Sequence, residues 1–360
     1  MASLFPESDI FKSKKGHVAK LLSDVEKARG IVNGTAEAVI KFDRASVGIK
    51  TQKHMTKAAT YIARNGKVLV ENEKGDILTI DEVKDTVKDW CDAQDVPFDE
   101  VCLAEQKNRP ADARRMIISC PKGSDPHKLK EAARQFGQEF FLNKDYEYIF
   151  AVHYKSEEMP KEPDHPHVHF LIKSISSKDK RLNPKKVDLR LMRERFAVIA
   201  KEHGIDLNAT SRAVRGQTIK SKKQEQIHQE RRGAKHAYDY ERDNELIEAL
   251  KNNSTLKEHK ALIKAKITRK AVLNNANEFI LQLKATGDKD DLNLANKLER
   301  RYKEIALSPV ESKQQLKLTI AKRIAHENKK KSGNIIEQSQ AQKWAIERKK
   351  KQLQAKQHER

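Results

Sequence analysis

The stretch that decides the fold is His153–Ser174, HYKSEEMPKEPDHPHVHFLIKS, in which four of the thirteen histidines fall within seventeen residues. It begins where one apolar segment ends, and it closes on HVHFLI, a second segment rich in β-branched and aromatic residues. Such segments are typical of β-strands. Because successive side chains on a strand alternate faces, His167 and His169 point the same way, about 6.5–7 Å apart, and His153 stands at the neighbouring strand end.

Three imidazoles on one face form a ligand set that leaves coordination positions open, as a catalytic metal requires. They suit zinc, manganese, nickel or copper, whereas magnesium prefers oxygen ligands. A polar surface patch of histidines is the alternative interpretation. His165 has the parity of His167, but the adjoining proline leaves its direction open. The intervening loop also carries acids that could orient an imidazole or bind the metal, and the sequence does not rank them: Glu157, Glu158, Glu162 and Asp164.

The rest of the first 220 residues alternates between strand and helix patterns. Further strands are predicted at 38–42 (AVIKF), 115–119 (RMIIS) and 148–153 (YIFAVH). Apolar residues three and four apart predict four helices, over 50–63, 81–93, 126–141 and 186–203. The expected N-caps are Asp81 and either Ser124 or Asp125, and Gly204 is expected to end the last helix. The alternation indicates an α+β or α/β fold, and residues 11–30 predict one short amphipathic helix in an N-terminal arm.

Composition separates the chain into a part that packs and a part that stays solvated. Of its 360 residues 37% are apolar and 35% charged, against about 45–50% and about a quarter in ordinary globular chains. The longest apolar runs fall short of the roughly 18 residues of a membrane span, and residues 1–17 lack the apolar core of a signal peptide. We therefore expect a cytoplasmic protein without membrane insertion. The three cysteines lack CxxC spacing, which predicts ordinary buried thiols rather than disulfides or a zinc ribbon.

The charge is concentrated in the C-terminal part, since residues 221–360 carry +14 of the formal net charge of +21. One proline and three glycines fall there, so little interrupts a helix. Apolar stripes at helical spacing include Leu246, Ile247 and Leu250, and then Leu294, Leu298, Tyr302 and Ile305. We predict basic helices that bind a polyanion such as DNA. A solvated surface, a spacer or a protein-docking arm is the alternative.

Four segments, in this order, resemble the HUH endonucleases, and specifically the P-class relaxases of conjugative and mobilisable plasmids, which include the T-DNA-border relaxases. They are AATYIARNGK (58–67), RRMIISCPKGSDP (114–126), DHPHVH (164–169) and AKEHGIDLNATSRAVRG (200–216). The resemblance covers about residues 36–220. It implies an α+β relaxase domain with a central antiparallel sheet, preceded by a helical arm (1–35) and followed by a basic all-helical extension (221–360).

The resemblance also implies roles for individual residues. Tyr61 matches the tyrosine that attacks the scissile phosphodiester, and His153, His167 and His169 match the ligands of a divalent metal, magnesium or manganese. Asp164 matches an acid that activates the tyrosine or positions a histidine. The family's run is His-x-Asp-x-Asp-His-Pro-His-x-His, whereas here the aspartate two positions after His153 is absent and seven further residues precede the second histidine.

Four basic residues are expected to contact DNA. Arg64 and Lys67 flank the tyrosine, and Arg212 and Arg215 follow the turn-like NATS. Their alternative role is that of a charged loop exposed to water. Taken without the resemblance, Tyr61 is a tyrosine at the edge of an apolar helical stripe, with its hydroxyl in water.

Together these features predict a relaxase that nicks one strand at a plasmid transfer origin, forms a 5′-phosphotyrosyl intermediate and serves conjugative mobilisation. The expected partners are single-stranded or supercoiled origin DNA, accessory mobilisation proteins and a type IV secretion coupling protein. A rolling-circle replication initiator or transposase of the HUH type would use the same chemistry. A catalytically inactive DNA-binding relative is the more distant alternative.

Overall fold

The structure is a computed structural model that describes residues 11–12, 18–19, 21–43, 48–106, 108–217, 224–234, 237–256, 258, 260–312 and 314–328. Its strands are β1 (Phe11–Lys12), β2 (Val18–Ala19), β3 (Val39–Phe42), β4 (Val70–Asn72), β5 (Ile77–Leu78), β6 (Ala113–Ser119), β7 (Tyr148–His153) and β8 (His167–Lys173). Its helices are α1 (Asp24–Asn33), α2 (Gln52–Ile62), α3 (Ile80–Ala93), α4 (Glu100–Ala104), α5 (Pro126–Phe140), α6 (Lys186–Glu202), α7 (Gln224–Arg231), α8 (Ala237–Lys251), α9 (Lys260–Ala285) and α10 (Lys289–Leu307). Residues 314–328 are also helical.

The main sheet has six strands in the order β3-β6-β8-β7-β4-β5, and every neighbouring pair is antiparallel. The histidine-bearing β8 lies inside the sheet, paired with β6 on one side and β7 on the other. This confirms the predicted α+β fold with a central antiparallel sheet. The four predicted strands are β3, β6, β7 and β8. The sequence did not predict β4 and β5, because strands of three and two residues are too short to show an alternation.

Helices cover both faces of the sheet and bury a core on each. On one face Val168 and Phe170 of β8 pack in a cluster with Phe136 of α5 and with residues of α6. On the other face Leu171 packs with Met55 of α2 and with residues of α3. Since side chains on a strand alternate, the parity of each β8 residue decides which layer it joins. The odd-numbered residues of β8 face α2 and α3.

Capping residues set the ends of three of the predicted helices. Thr79 caps α3, and Thr79 and Glu82 form a capping box, so the predicted cap at Asp81 is wrong: that residue lies in the first turn. Asp125 caps α5, which confirms one of the two predicted alternatives. The helix α6 ends at Glu202, and Gly204 follows with a left-handed φ of 78°, as expected for a helix terminator.

The N-terminal helix is shorter and later than the predicted helix over 11–30. It is α1, which begins at Asp24 because Ser23 and Glu26 form a capping box, and Gly34 ends it at a φ of 69°. The earlier described residues form the two-stranded pair β1 and β2 instead.

α1 packs against the core of the six-stranded sheet. Leu22, immediately before the helix, belongs to the same buried cluster as the α5 and α6 side of the sheet. Lys27 of α1 donates a hydrogen bond from its Nζ to Glu194 Oε2 of α6 at 2.9 Å, and both side chains are buried. The predicted boundaries at residues 35 and 220 stay predictions.

The chain divides into two compact units, Met1–Arg215 with Asn274–Lys303, and Gly216–Leu273 with Glu304–Arg360. The six-stranded sheet lies in the first unit. The described residues after 223 are almost all helical, which confirms the predicted helical extension. In α10 the whole predicted apolar stripe from Leu294 to Ile305 is buried. In α8 the stripe is only partly buried, and Ile247 is exposed.

The three cysteines carry free thiols. Cys91 and Cys120 are buried as predicted, and burial raises the pKa of their thiols to about 11 and about 12. Cys102 is exposed, contrary to the prediction, because the five-residue α4 buries none of its side chains.

Candidate active site

Strand register brings three histidines together. His153 at the end of β7 lies directly opposite His167 at the start of β8, and Ala151 lies opposite His169. All three side chains therefore emerge on the α2 face of the sheet. The ring centroids are 5.4 Å apart for His153 and His167, 4.6 Å for His153 and His169, and 5.0 Å for His167 and His169. Each ring offers a nitrogen within 4.8 Å of the other two, so the predicted convergence is observed.

Hydrogen bonds fix which nitrogen each ring can offer to a metal. His153 Nε2 lies 2.7 Å from the carbonyl oxygen of Ile62, which can only accept, so Nε2 carries the proton and Nδ1 keeps its lone pair. His167 Nδ1 lies 3.2 Å from the carbonyl oxygen of His165, which leaves Nε2 as the ligand atom. His165 itself is exposed and contributes its backbone to the cluster.

Two of the nitrogens are buried without a hydrogen-bond partner in the described part of the chain. They are His153 Nδ1 and His169 Nε2. An unsatisfied buried nitrogen is costly, and a metal ion satisfies it. The donor set of three neutral imidazoles, two of them oriented by backbone carbonyls, therefore fits a divalent cation.

Burial keeps these rings neutral. It lowers the pKa of His153 to about 4 and that of His169 to about 2, and it lowers the pKa of His167 as well. The rings also repel one another as cations, which adds to the shift of His169. A neutral ring presents a lone pair, so the cluster is ready for a metal at neutral pH without releasing protons.

The predicted nucleophile stands beside this cluster. Tyr61 lies in the last turn of α2, and its neighbours Met55, Ala59 and Ile62 are buried as the predicted stripe requires. Its ring meets that of His169 edge to face at a centroid distance of 5.5 Å, and its centroid lies 6.4 Å from that of His153. At 56% exposure the tyrosine remains open to a large substrate.

Arg64 packs over the phenol ring from the turn that follows α2. Its guanidinium carbon lies 4.2 Å from the Tyr61 centroid, and its Nη1 donates to the Tyr61 carbonyl oxygen at 3.2 Å. Arg64 and Asn65 both adopt left-handed φ values, 48° and 55°, which are strained for residues with a Cβ. The strained turn thus serves to lay a cation on the face of the tyrosine.

Glu162 holds that guanidinium in place. Its carboxylate accepts from Arg64 Nε at 2.6 Å and from Nη2 at 3.1 Å, a two-pronged pair whose side chains are 18% and 11% exposed. Its negative charge also opposes the lowering of the pKa of His153 and His167 by burial. The sequence named this residue among four loop acids without ranking it. Only its tertiary partner singles it out.

Asp164, the acid that the resemblance favours, has other partners. Its carboxylate lies 3.0 Å from Lys122 Nζ and 3.1 Å from Lys155 Nζ. These hydrogen bonds lower the pKa of Asp164, which makes it a weaker proton acceptor.

The other basic residues expected to bind DNA are placed differently. Lys67 is exposed beyond the strained turn. Arg215 is partly buried, 3.4 Å from Glu37 Oε1, and Arg212 is also partly buried. Sequence reasoning gave no role to Arg115, which lies on the histidine face of β6 two residues from the partner of His169. Half exposed, it lowers the pKa of His169 through its charge, and the alternation along β6 was the signal that could have found it.

An antiparallel sheet that carries a three-histidine cluster beside a helix-borne tyrosine resembles a relaxase nuclease domain. Residues 61–205 match the family model described as relaxase, MobA/VirD2-like, nuclease domain. The predicted resemblance to the T-DNA-border relaxases is confirmed.

Among its relatives is the T-DNA border endonuclease VirD2 of Rhizobium radiobacter, 26% identical over 186 residues that cover 47% of this chain and 41% of the relative. The VirD2 of Agrobacterium fabrum is 24% identical over 188 residues, which cover 48% of this chain and 39% of the relative. The chain thus spans about two fifths of the length of these curated relatives.

A solved structure, the conjugative relaxase TrwC in complex with oriT DNA in a metal-bound form, is 10% identical, with a TM-score of 0.32 over 75% of this chain and 99% of that chain. At that score the overall similarity of the two structures is low.

Within the described residues, every helix is too short or too polar to cross a membrane.

Proposed function

We propose that this protein nicks one strand of DNA at a plasmid transfer origin by transesterification, with Tyr61 as the nucleophile. The observation that carries the proposal is the edge-to-face contact of Tyr61 with His169, 5.5 Å between centroids, which sets a phenol beside a three-histidine cluster. The family match and the likeness to T-DNA border endonucleases support DNA as the substrate.

In this reaction the Tyr61 oxygen attacks the scissile phosphorus. The new oxygen–phosphorus bond forms as the bond to the 3′-oxygen of the preceding nucleotide breaks. The phenolic proton is released and the departing 3′-oxygen takes up a proton, which leaves a 3′-hydroxyl and a 5′-phosphotyrosyl bond. The energy of the phosphodiester is retained, so attack by a 3′-hydroxyl reverses the step and reseals the strand.

The histidines would hold a divalent cation through His153 Nδ1, His167 Nε2 and a nitrogen of His169; of magnesium and manganese, manganese suits this all-nitrogen set better. Such an ion supplies Lewis-acid stabilisation of the non-bridging phosphate oxygens. Arg64, held by Glu162, would orient the phenol by packing over its ring. Arg115, on the histidine face of the sheet and 3.6 Å from Asp43 Oδ2, would add positive charge near the phosphate.

The test is covalent capture of the substrate. The protein is incubated with manganese and with overlapping single-stranded oligonucleotides from the candidate origin, and a supercoiled plasmid carrying that region is followed on gels. We expect nicking and a nucleotide-bearing peptide that contains Tyr61 by mass spectrometry. A Tyr61→Phe variant that nicks as well as the parent would defeat the proposal. Cleavage of replication-origin or transposon-end DNA in preference to transfer-origin DNA would favour the related HUH classes.

The basic extension is proposed to hold DNA, accessory mobilisation proteins or a type IV secretion coupling protein. Its net charge of +14 supports the DNA role. On α9, Lys260, Lys264 and Lys270 are exposed. Replacing all three by glutamine should reduce the salt dependence of DNA binding, with a slope lower by up to about three. An unchanged slope together with unchanged mobilisation would argue against a role in DNA binding.

A further inference from the structure

A groove of about 620 Å³ follows the outer side of α2 and reaches Tyr61. Its walls include Lys53, Lys57, Thr60 and, at the start of the helix, Phe98. The groove belongs entirely to the sheet-bearing unit. It uses the face of α2 that the core leaves free.

The polar row along this groove is a consequence of helical spacing. Lys53, Lys57 and Thr60 recur three and four residues apart and lead to Tyr61, so they share one face of α2. The opposite face, with Met55 among its members, is buried against the sheet. Lys57 is exposed and has no ion pair with any residue that the structure describes. The row therefore offers positive charge and hydroxyl groups in a line that ends at the nucleophile.

Phe98 stands at the far end as a fixed aromatic surface. Its carbonyl oxygen accepts from the Lys53 backbone N–H at 3.1 Å, and the Pro97 carbonyl accepts from the Gln52 N–H at 2.9 Å. These bonds tie the loop to the first turn of α2, yet the Phe98 ring remains 56% exposed. Lys53 Nζ lies 4.6 Å from the ring centroid and 3.1 Å from Asp99 Oδ2. The ammonium group of Lys53 thus balances the negative charge of the residue that follows Phe98. Lys53 lies over one face of the ring, and the exposed remainder of the ring suits stacking of a nucleobase.

We propose that this groove binds single-stranded DNA next to the scissile phosphate, with a base stacked on Phe98 and a phosphate on Lys57. The inference rests on the proposed function, because it identifies the groove as the path by which the strand reaches Tyr61. Eight residues of helix separate Lys53 from Tyr61, about 12 Å at 1.5 Å per residue. At a stacked spacing of about 3.4 Å the groove accommodates three to four nucleotides. A duplex buries its base faces and cannot stack on the ring.

The first test measures binding without chemistry. The full chain is titrated, in EDTA, into a fluorescein-labelled oligothymidylate of about twelve nucleotides, and anisotropy is recorded. Phe98→Ala should weaken binding about tenfold, the usual loss for one stacked base. Val101→Ala is the matched control, since Val101 is 76% exposed and lies outside the groove. Equal affinities of the two variants would overturn the proposal.

The second test reports on the groove itself once the same titration of the parent, whose emission comes from Trp90 and Trp344, is subtracted. A Phe98→Trp variant should bind the oligothymidylate as tightly as the parent. The emission of the new indole should fall strongly when the oligothymidylate saturates the protein. Emission that stays unchanged at saturation would overturn the proposal, and this test stands even where Phe98→Ala fails to fold.

The third test concerns the phosphate contact. Lys57→Gln should lower the slope of log affinity against log salt by about one, whereas Lys88→Gln, at an exposed position on α3, should leave it unchanged. Equal slopes for both variants would exclude Lys57 from the path.

Covalent capture separates the two proposals. If Phe98→Ala binds oligothymidylate like the parent while the parent forms the Tyr61 adduct, the groove proposal fails and the nicking function stands. If binding depends on Phe98 but no adduct forms with origin DNA, the groove stands and the nicking function fails.

Discussion

Lys27→Met should destabilise the sheet-bearing unit strongly, although the residue lies far from the candidate site in sequence. The ammonium group of Lys27 and the carboxylate of Glu194 are 2.9 Å apart, with side chains 1% and 6% exposed. Methionine keeps the length of the side chain but removes the charge. Glu194 then loses its closest cation in a place that water does not reach.

The magnitude follows from that burial. Removing one partner of a buried ion pair costs about 3–5 kcal/mol. Arg190 Nε lies 3.8 Å from the other oxygen of Glu194 and retains part of the attraction, so we expect the lower end, about 3 kcal/mol. For a unit of this size the melting temperature should fall by about 6–12 °C. Thermal unfolding by circular dichroism measures it.

A matched control bridges the same two helices at the surface. Lys201 Nζ lies 3.0 Å from Glu26 Oε1, with the lysine side chain 55% exposed, so Lys201→Gln should cost under about 1 kcal/mol. Lys27→Met combined with Glu194→Leu should recover part of the loss, because the buried carboxylate is gone while Arg190 loses its contact with it. If the melting temperatures of Lys27→Met and Lys201→Gln are the same, the reasoning is wrong. If it is right, a fragment beginning at residue 36 would lack α1 and should fold poorly.

Three further outcomes are expected. His169→Ala should weaken manganese binding by about a hundredfold or more in calorimetry, whereas His165→Ala, at an exposed ring, should keep it; comparable affinities would contradict the ligand assignment. In EDTA the protein should lose stability as pH falls from about 6.5 to about 4, because His153 and His169 take up protons in the unfolded chain but not in the folded one. The melting temperature should therefore fall with pH, and it should fall less steeply in His153→Gln. A melting temperature that is constant over that interval, or that falls equally steeply in His153→Gln, would contradict this. Glu162→Gln should slow adduct formation about tenfold by releasing the guanidinium on the phenol, while Glu158→Gln, exposed in the same loop, should not; equal rates would remove Glu162 from the site.

The sequence predicted the parts of the fold that periodicity controls. The strands carrying the histidines were predicted with at most one residue of error, because β-branched and aromatic residues fill the inner strands of the sheet. The convergence of His153, His167 and His169 followed from strand parity and a shared strand end. A helix start set by Thr79 was missed in favour of Asp81, since both residue types cap helices and only backbone geometry chooses between them.

Features that depend on tertiary contacts were beyond the sequence. Glu162 could not be distinguished from its neighbouring acids without Arg64 in place across 98 residues of chain. The pairing of Lys27 with Glu194 spans 167 residues, and no local pattern relates the two side chains. Phe98 gave no signal either, because an isolated phenylalanine in a loop is most often a core residue.

The register between β7 and β8 has a consequence for how this protein matures. A slip of β8 by one residue would put Val168 where the imidazoles of β8 belong and would turn His167 and His169 toward the layer under α5 and α6, away from His153. The three histidines can therefore bind an ion together only in chains whose β7 and β8 have paired in the native register. A cation would stabilise the native register after it has formed, so the assembly of this centre depends first on correct pairing within the sheet.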